Sequence, residues 1–306
     1  MPMVERADPY RAINAVGALK EPSTFSRIQG GCTFVNAERS RLRNRTIAVG
    51  VICVVATIAF SSFTAIPPII PLLLGAVAFA ASYFDSQKVF ESSVTVAMKR
   101  IVGALSGGLA YSPRSTMTLQ QFAGMDLFGE RCVRWTSRHE IAGRGHGTKY
   151  SIHEVRAGGI DRRSVIFKGI IVRIEFSESF PGNTVIVPDR HGQLTDAGTG
   201  PRRKKELVMV KHPAFERLYS VYSTSYFDAR QLITPRLITL VMEAHNELQT
   251  TLRLSFVGKS LFIVIARDSA RPAPRLYGAP ITPEVAVGDL ARLVPLAERF
   301  AQSVSQ

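Results

Sequence analysis

Several stretches of the sequence carry residue types able to do chemistry. Val257-Gly258-Lys259-Ser260 ends like a phosphate-binding loop, in which backbone N–H groups cradle a phosphate and the lysine reaches it. Arg253 stands where the first glycine of that motif belongs, and the flanking residues alternate like strands where the motif needs a helix N-terminus. The segment therefore reads as a hairpin turn. His139-Glu140 opens like a zinc-protease helix, but Gly143 occupies the second histidine's place, and a strand cannot set two ligands on one helical face. His139, His146 and His153 form a second potential metal set if antiparallel pairing brings them together across a turn. Parity opposes this, setting His139 and His153 on one side and His146 in a loop, so surface histidines are expected and no metal site is assigned. Serines are numerous, but no Gly-x-Ser-x-Gly elbow singles out a nucleophile.

The basic run Arg202-Arg203-Lys204-Lys205 is the most suggestive surface feature. Beside an anionic leaflet each such residue gains on the order of 1 kcal/mol, so these four are the candidate contacts for anionic lipid head groups.

The element that must position everything else is the uncharged, mostly apolar stretch from Thr46 to Phe84. One span needs roughly 20 apolar residues, and this stretch holds enough for two. Pro67-Pro68 and Pro71 break it, because proline lacks an N–H and suits a turn or a first helical turn. The expectation is a transmembrane hairpin over 36–84, with spans near 47–66 and 68–84. Arg39, Arg41, Arg43 and Arg45 precede it, and Lys88, Lys99 and Arg100 follow it. Positive flanks on both sides imply an inner-membrane, multi-pass protein with cytoplasmic N- and C-termini. A secretory signal is not expected, since the run starts far from Met1 and lasts too long.

The net charge of +14 is spread along the chain, which suits an anionic inner leaflet. Nucleic acid is not expected as a partner, because no helix-turn-helix, zinc-finger or aromatic RNA-binding signature occurs. Cys32, Cys53 and Cys132 are too few and too scattered for a disulfide framework or a zinc pattern.

Residues 1–35, with their Gly, Ser and Pro, read as a loosely ordered lead-in, and the helix is expected from about Asn36. Phe90, Val94, Ile101 and Leu105 recur at helical spacing, which predicts an amphipathic stalk over 85–108. Thr118 with Gln121 marks a short capped helix. From Arg131 the pattern becomes β-rich. Strands are expected at 132–141 and 149–156, joined by the glycine-rich 143–147. A strand at 164–178 with a bulge or bend near Gly169 should turn at Pro181-Gly182-Asn183 into its partner 184–187. A strand at 206–210 and a short helix at 212–219 follow. Thr234-Pro235 starts the main soluble helix, and 252–256 and 261–266 form a hairpin. Residues 272–283 read as a linker before a final amphipathic helix over 288–303, kinked at Pro295. The fold class is membrane-anchored α+β, with a cytoplasmic domain over 109–271 built on a mainly antiparallel sheet.

Leu109-Ala-Tyr-Ser-Pro113, Phe167-Lys-Gly-Ile-Ile171, Phe180-Pro-Gly-Asn-Thr184 and Asp228-Ala-Arg-Gln-Leu-Ile-Thr-Pro235 resemble segments of the bacterial domain-of-unknown-function family 3137. So do Val187-Pro-Asp189, Phe215-Glu216, Val221-Tyr-Ser223 and Ser255-Phe256. The resemblance covers about residues 85–267 and implies a membrane-anchored protein with an α+β domain. It carries no residue roles.

The leading expectation is a scaffold or regulatory module at the inner membrane that binds a protein partner or the membrane surface. No cofactor is implied, and a homo-oligomer is compatible. The alternative is a membrane-tethered enzyme whose site folding would assemble from residues such as His153, Asp189 or His212. Transport is a weak third reading, since the spans hold no charge and two helices would have to oligomerise to line a pore.

Overall fold

A computed structural model describes residues 22–63, 69–106, 108–145, 147–161, 163–189, 205–267 and 276–304. In chain order the first elements are α1 (Pro22–Phe63), α2 (Ile69–Leu105), β1 (Ala110–Arg114), α3 (Leu119–Gly124), β2 (Arg134–Gly145), β3 (Thr148–Gly158), β4 (Val165–Glu175) and β5 (Asn183–Pro188). There follow β6 (Glu206–Val208), α4 (Pro213–Glu216), β7 (Tyr219–Ser223), α5 (Tyr226–Leu232), α6 (Pro235–Leu248), β8 (Leu252–Val257), β9 (Ser260–Ala266), α7 (Pro283–Val287) and α8 (Leu290–Val304). The chain divides into a helical unit, residues 17–105 with 272–288, and a sheet unit holding 106–271 and 289–306.

In the helical unit α1 packs along α2. Ile28, Cys32, Val35, Arg39, Leu42 and Thr46 are buried at alternating spacings of four and three, facing Ser86, Phe90, Val94, Ala97, Ile101 and Leu105. That is the seam of a two-helix coiled coil. A Cβ at Gly31 would come within 2.8 Å of Ile101, so the missing side chain is what lets the helices approach there. At the end of the seam the buried Thr46 hydroxyl bonds Leu42 O (2.9 Å) and Ser86 Oγ (3.1 Å). Beyond it the apolar side chains turn outward, Leu74 to 67 % exposure among many others. Both helices are long and apolar enough to cross a membrane. The expected proline break at 67–68 lies outside the described residues.

The helical unit corrects two expectations. The helix begins at Pro22 and not near Asn36, because the four-three repeat that buries Ile28, Cys32 and Val35 outweighs the low helix propensity of Gly30 and Gly31. The described part of the expected linker, from Leu276, is packed. Leu276, 1 % exposed, joins Val35, Leu42, Phe90, Val94 and Ala97 in one cluster. The Asn36 amide brackets Ile281, donating to its carbonyl at 2.8 Å and accepting from its N–H at 2.9 Å. Arg39 donates to Gly278 O, and Tyr277 stacks on Tyr83.

The sheet unit is α+β. Among the described residues its nine strands run in the order β1-β2-β3-β4-β9-β8-β5-β7-β6, antiparallel at every pairing. One face carries an apolar cluster that includes Val155, Ala157, Phe167, Ile171, Val185 and Phe262, capped by Met117, Phe122, Met125 and Leu127 from α3 and its flanks. On the other face α8 contacts β2, β3 and β4, and α6 contacts β8 and α8. The two hydroxyl-capped helix starts form as the sequence implies. Thr118 and Gln121 make a capping box, and Thr234 Oγ1 accepts from Leu237 N at 3.2 Å. Gly258-Lys259 is the β8–β9 hairpin turn, with Gly258 at φ +55°.

The pairing differs from expectation in three places. Residues 184–187 pair with β7 and β8, not with β4, because the wholly buried apolar run of β9 takes the place beside β4. Gly143 and Gly145 lie inside β2: a Cβ at either would strike Tyr150 or Glu298. Gly169 sits in regular register opposite Ala266, where a Cβ would lie 2.1 Å from Ile265 O, so the residue serves close approach and not a bulge. In β4 the irregularity falls at Ile166, between the pairs Ala157↔Phe167 and Gly158↔Val165, and a further bulge is at His139, at φ +52°, between Arg138↔Glu154 and Glu140↔His153. β1 and β7 were not anticipated, since each is short and interrupted by polar residues.

Candidate functional site

The His139 bulge reverses the alternation of β2, so that Glu140, Ala142 and Arg144 share the face of Trp135 and Ser137. The register then lays out three cross-strand rows: Glu140–His153–Ile171, Ala142–Ser151–Arg173 and Arg144–Lys149–Glu175. Of these, Glu140, Ala142, Ser151, Arg173, Arg144, Lys149 and Glu175 line a cleft of about 420 Å³, together with Gly108, Ala110 and Thr116.

His153, opposite Glu140 in the first row, is buried behind this lining at 1 % exposure. Its Nδ1 meets Ser115 Oγ at 2.8 Å and its Nε2 meets Ser151 Oγ at 2.8 Å. Ser115 Oγ already accepts from Ser137 Oγ (2.6 Å) and Met117 N (3.2 Å), so its own proton points at Nδ1. That network assigns the proton of the neutral ring to Nε2, which donates to Ser151. Burial pushes the imidazole down to about 4, against the pull of Glu140 and with a further push from Arg173. Glu140 Oε2 lies 3.9 Å from Nδ1 and accepts from Thr116 N at 2.6 Å.

This geometry does not arm a serine. A nucleophile must donate to its base, whereas Ser151 receives from the ring, and the Ser115 oxygen has both lone pairs engaged. The histidine acts instead as a neutral pin joining the 115–117 segment to β3.

The outer end of the cleft is ionic. Arg173 bonds Glu175 (2.7 Å) and Ser260 Oγ (3.3 Å) and lies over the Phe262 ring. Arg144 and Lys149, both exposed, are direct cross-strand partners. Like charges facing across a ladder repel, and Glu175, opposite Lys149 on its other side, offsets part of that repulsion. A second cleft of about 450 Å³ is lined by Phe128, Lys168, Arg253 and Arg267, with Arg253 stacked 5.0 Å over Phe128.

Of the residues singled out in the sequence, Arg202, Arg203 and Lys204 lie outside the described residues. Lys205 is buried and ion-paired with Asp126. His153, Asp189 and His212 do not assemble: β3 and β5 are four strand spacings apart, roughly 19 Å, and His212 caps α4. His139 is held by Tyr111 OH at 2.7 Å, and His146 is outside the described residues. Reading the sequence by motif passed over Ser115, Ser137 and Ser151. The only signal for them was the alternation of Ser151 with His153, which the bulge hides on the neighbouring strand.

Residues 165–278 match the model of a family described as "Protein of unknown function (DUF3137)". That segment belongs to DUF3137. The DUF3137 segment begins at β4 and includes β5–β9, so it supplies Arg173 and Glu175 to the cleft, while Glu140, Ser151 and His153 precede it. Among solved structures, the chain is similar to the crystal structure of the mycobacterial trehalose monomycolate transport factor A, TtfA, with a TM-score of 0.39 and 11% identity over 63% of this chain and 85% of that one. No curated protein matches.

Proposed function

We propose that this protein is a membrane-anchored binding module, a scaffold or regulator whose sheet unit captures an acidic segment of a partner protein in the cleft on β2, β3 and β4. The observation that carries the reading is the exposed, opposed pair Arg144 and Lys149 beside Arg173, on a platform pinned by a neutral, fully hydrogen-bonded histidine. The site is built to hold a ligand, with rigid strands below and cations at the mouth. The basic flanks of the apolar helices support an inner-membrane protein with cytoplasmic termini. In that setting Arg202, Arg203 and Lys204 add contacts to anionic head groups, Lys205 being committed to Asp126.

The test is in-cell photocrosslinking from position 151 of the tagged full chain, with identification of the captured species. A discrete protein adduct that disappears on Arg144→Ser/Lys149→Ser is the expected result. An adduct indifferent to that double substitution, or none, would overturn the reading.

A further inference from the structure

The opposite face of the same strands, at the end remote from the cleft, carries a second feature. There the register aligns Thr136–Arg156–Lys168, and Arg267 joins the row through its N–H to Lys168 O at 3.0 Å. The next row is Arg114–Arg138–Glu154. Arg156 faces Lys168 and Arg114 faces Arg138 directly, two like-charged cross-strand pairs on adjacent rows. Among the described residues the acidic groups here include Glu130, which accepts from Ser164 Oγ at 3.2 Å, and Asp161 at the turn. Glu154 lies in the second row, and Asp289 is taken up by Arg267.

These rows end at the β3–β4 turn, which is built and held. The Arg134 guanidinium donates to Asp161 O (2.7 Å) and Ser164 O (2.8 Å), and Gly159 N donates to Ser164 O at 3.2 Å. Gly158 leaves room for that guanidinium, since a Cβ there would lie 2.8 Å from it. The turn so fixed presents Ile160 at 78 % exposure, with Val165 and Val133 also exposed and Arg131, Arg163 and Asp161 around them.

An apolar tip with a cationic plate behind it matches one ligand chemistry. The side chains at the tip suit the acyl boundary of a bilayer, and the arginines suit the phosphates above it. A nucleic-acid surface would set aromatic rings for stacking or donors for base edges among the cations, and aliphatic side chains stand there instead. We propose that the β3–β4 turn and the plate Arg138, Arg156 and Lys168 form a docking surface for an anionic lipid bilayer, separate from the cleft.

The test uses the full chain in neutral-lipid and in phosphatidylglycerol-containing nanodiscs, each also mixed with separate vesicles of either composition. Ile160→Cys, in a background with Cys32, Cys53 and Cys132 replaced by serine, carries a polarity-sensitive fluorophore. The expected result is a blue shift that depends on phosphatidylglycerol, in the disc or in the added vesicles. High salt should suppress it, and Arg138→Ser/Arg156→Ser should weaken it roughly thirtyfold in lipid titration. Thermal unfolding of the double variant, whose two side chains are exposed, confirms that the fold is kept. Equal emission in neutral and anionic lipid, a shift unchanged in the double variant, or the same shift with short duplex DNA in place of vesicles would overturn the proposal.

Discussion

His153 couples the cleft to pH. Its folded imidazole titrates near 4, below the ordinary 6.5, so the unfolded chain binds a proton that the folded chain refuses between those values. Stability is therefore full above about pH 6.5 and falls as the pH drops toward 4, by on the order of 3 kcal/mol. The single tryptophan, Trp135, packs against the same apolar cluster and reports unfolding. The urea midpoint of the full chain in detergent should decline across that window, and His153→Gln should flatten the decline. Parallel midpoints for the two proteins would assign the pH response elsewhere. At this scale little of the site was legible in the sequence. His153 was visible as a candidate, but its partner Ser115, and Ser137 which donates to Ser115, come from other strands and connections, and only folding brings them together. Lys205 misled for the same reason: Asp126, which engages it, lies far away in the chain.

Elements were easier to read where the determinants are local. The Thr118–Gln121 box, the Thr234-Pro235 start and the Gly258-Lys259 turn each depend on a few neighbouring residues. Strand order was not legible, because the choice of β9 over β5 as partner of β4 depends on comparing apolar runs about 80 residues apart. The return of residues 276–287 to the helical hairpin was hidden behind a proline-rich stretch that reads as a linker. Its anchor is Asn36, whose amide satisfies both backbone groups of Ile281. Asn36→Ala should cost about 1–2 kcal/mol locally. Hydrogen exchange should then show faster exchange at Ile281 and Leu276, with β9 amides unchanged. Equal protection in both proteins would mean that Leu276 and its apolar neighbours hold the segment alone.

For the whole molecule the dominant physical fact is the exposed apolar sleeve on α1 and α2, which water cannot solvate favourably and hydrocarbon can. Leu74 is at its middle. Leu74→Arg should oppose membrane residence by about 2.5–3.5 kcal/mol, whereas Leu74→Phe should be neutral. Carbonate extraction of membranes checks this, the arginine variant moving to the soluble fraction and the phenylalanine variant staying in the pellet. Retention of both variants would remove Leu74 from the lipid-facing set. The membrane class was legible because it depends on composition summed over many residues, which no tertiary contact can reverse. Strand β2, finally, carries a spare residue. His139 belongs to β2 without a counterpart on β3, so the strand can lose that residue and keep every later side chain on its present face. A loss of Ala142 would instead bring Gly143 and Gly145 onto that face and turn Arg144 away from the groove. Loss of His139 would still break its bond to Tyr111 and shift β2 against β1, which runs past it in unbroken register, so the groove keeps its chemistry at the expense of the sheet's edge.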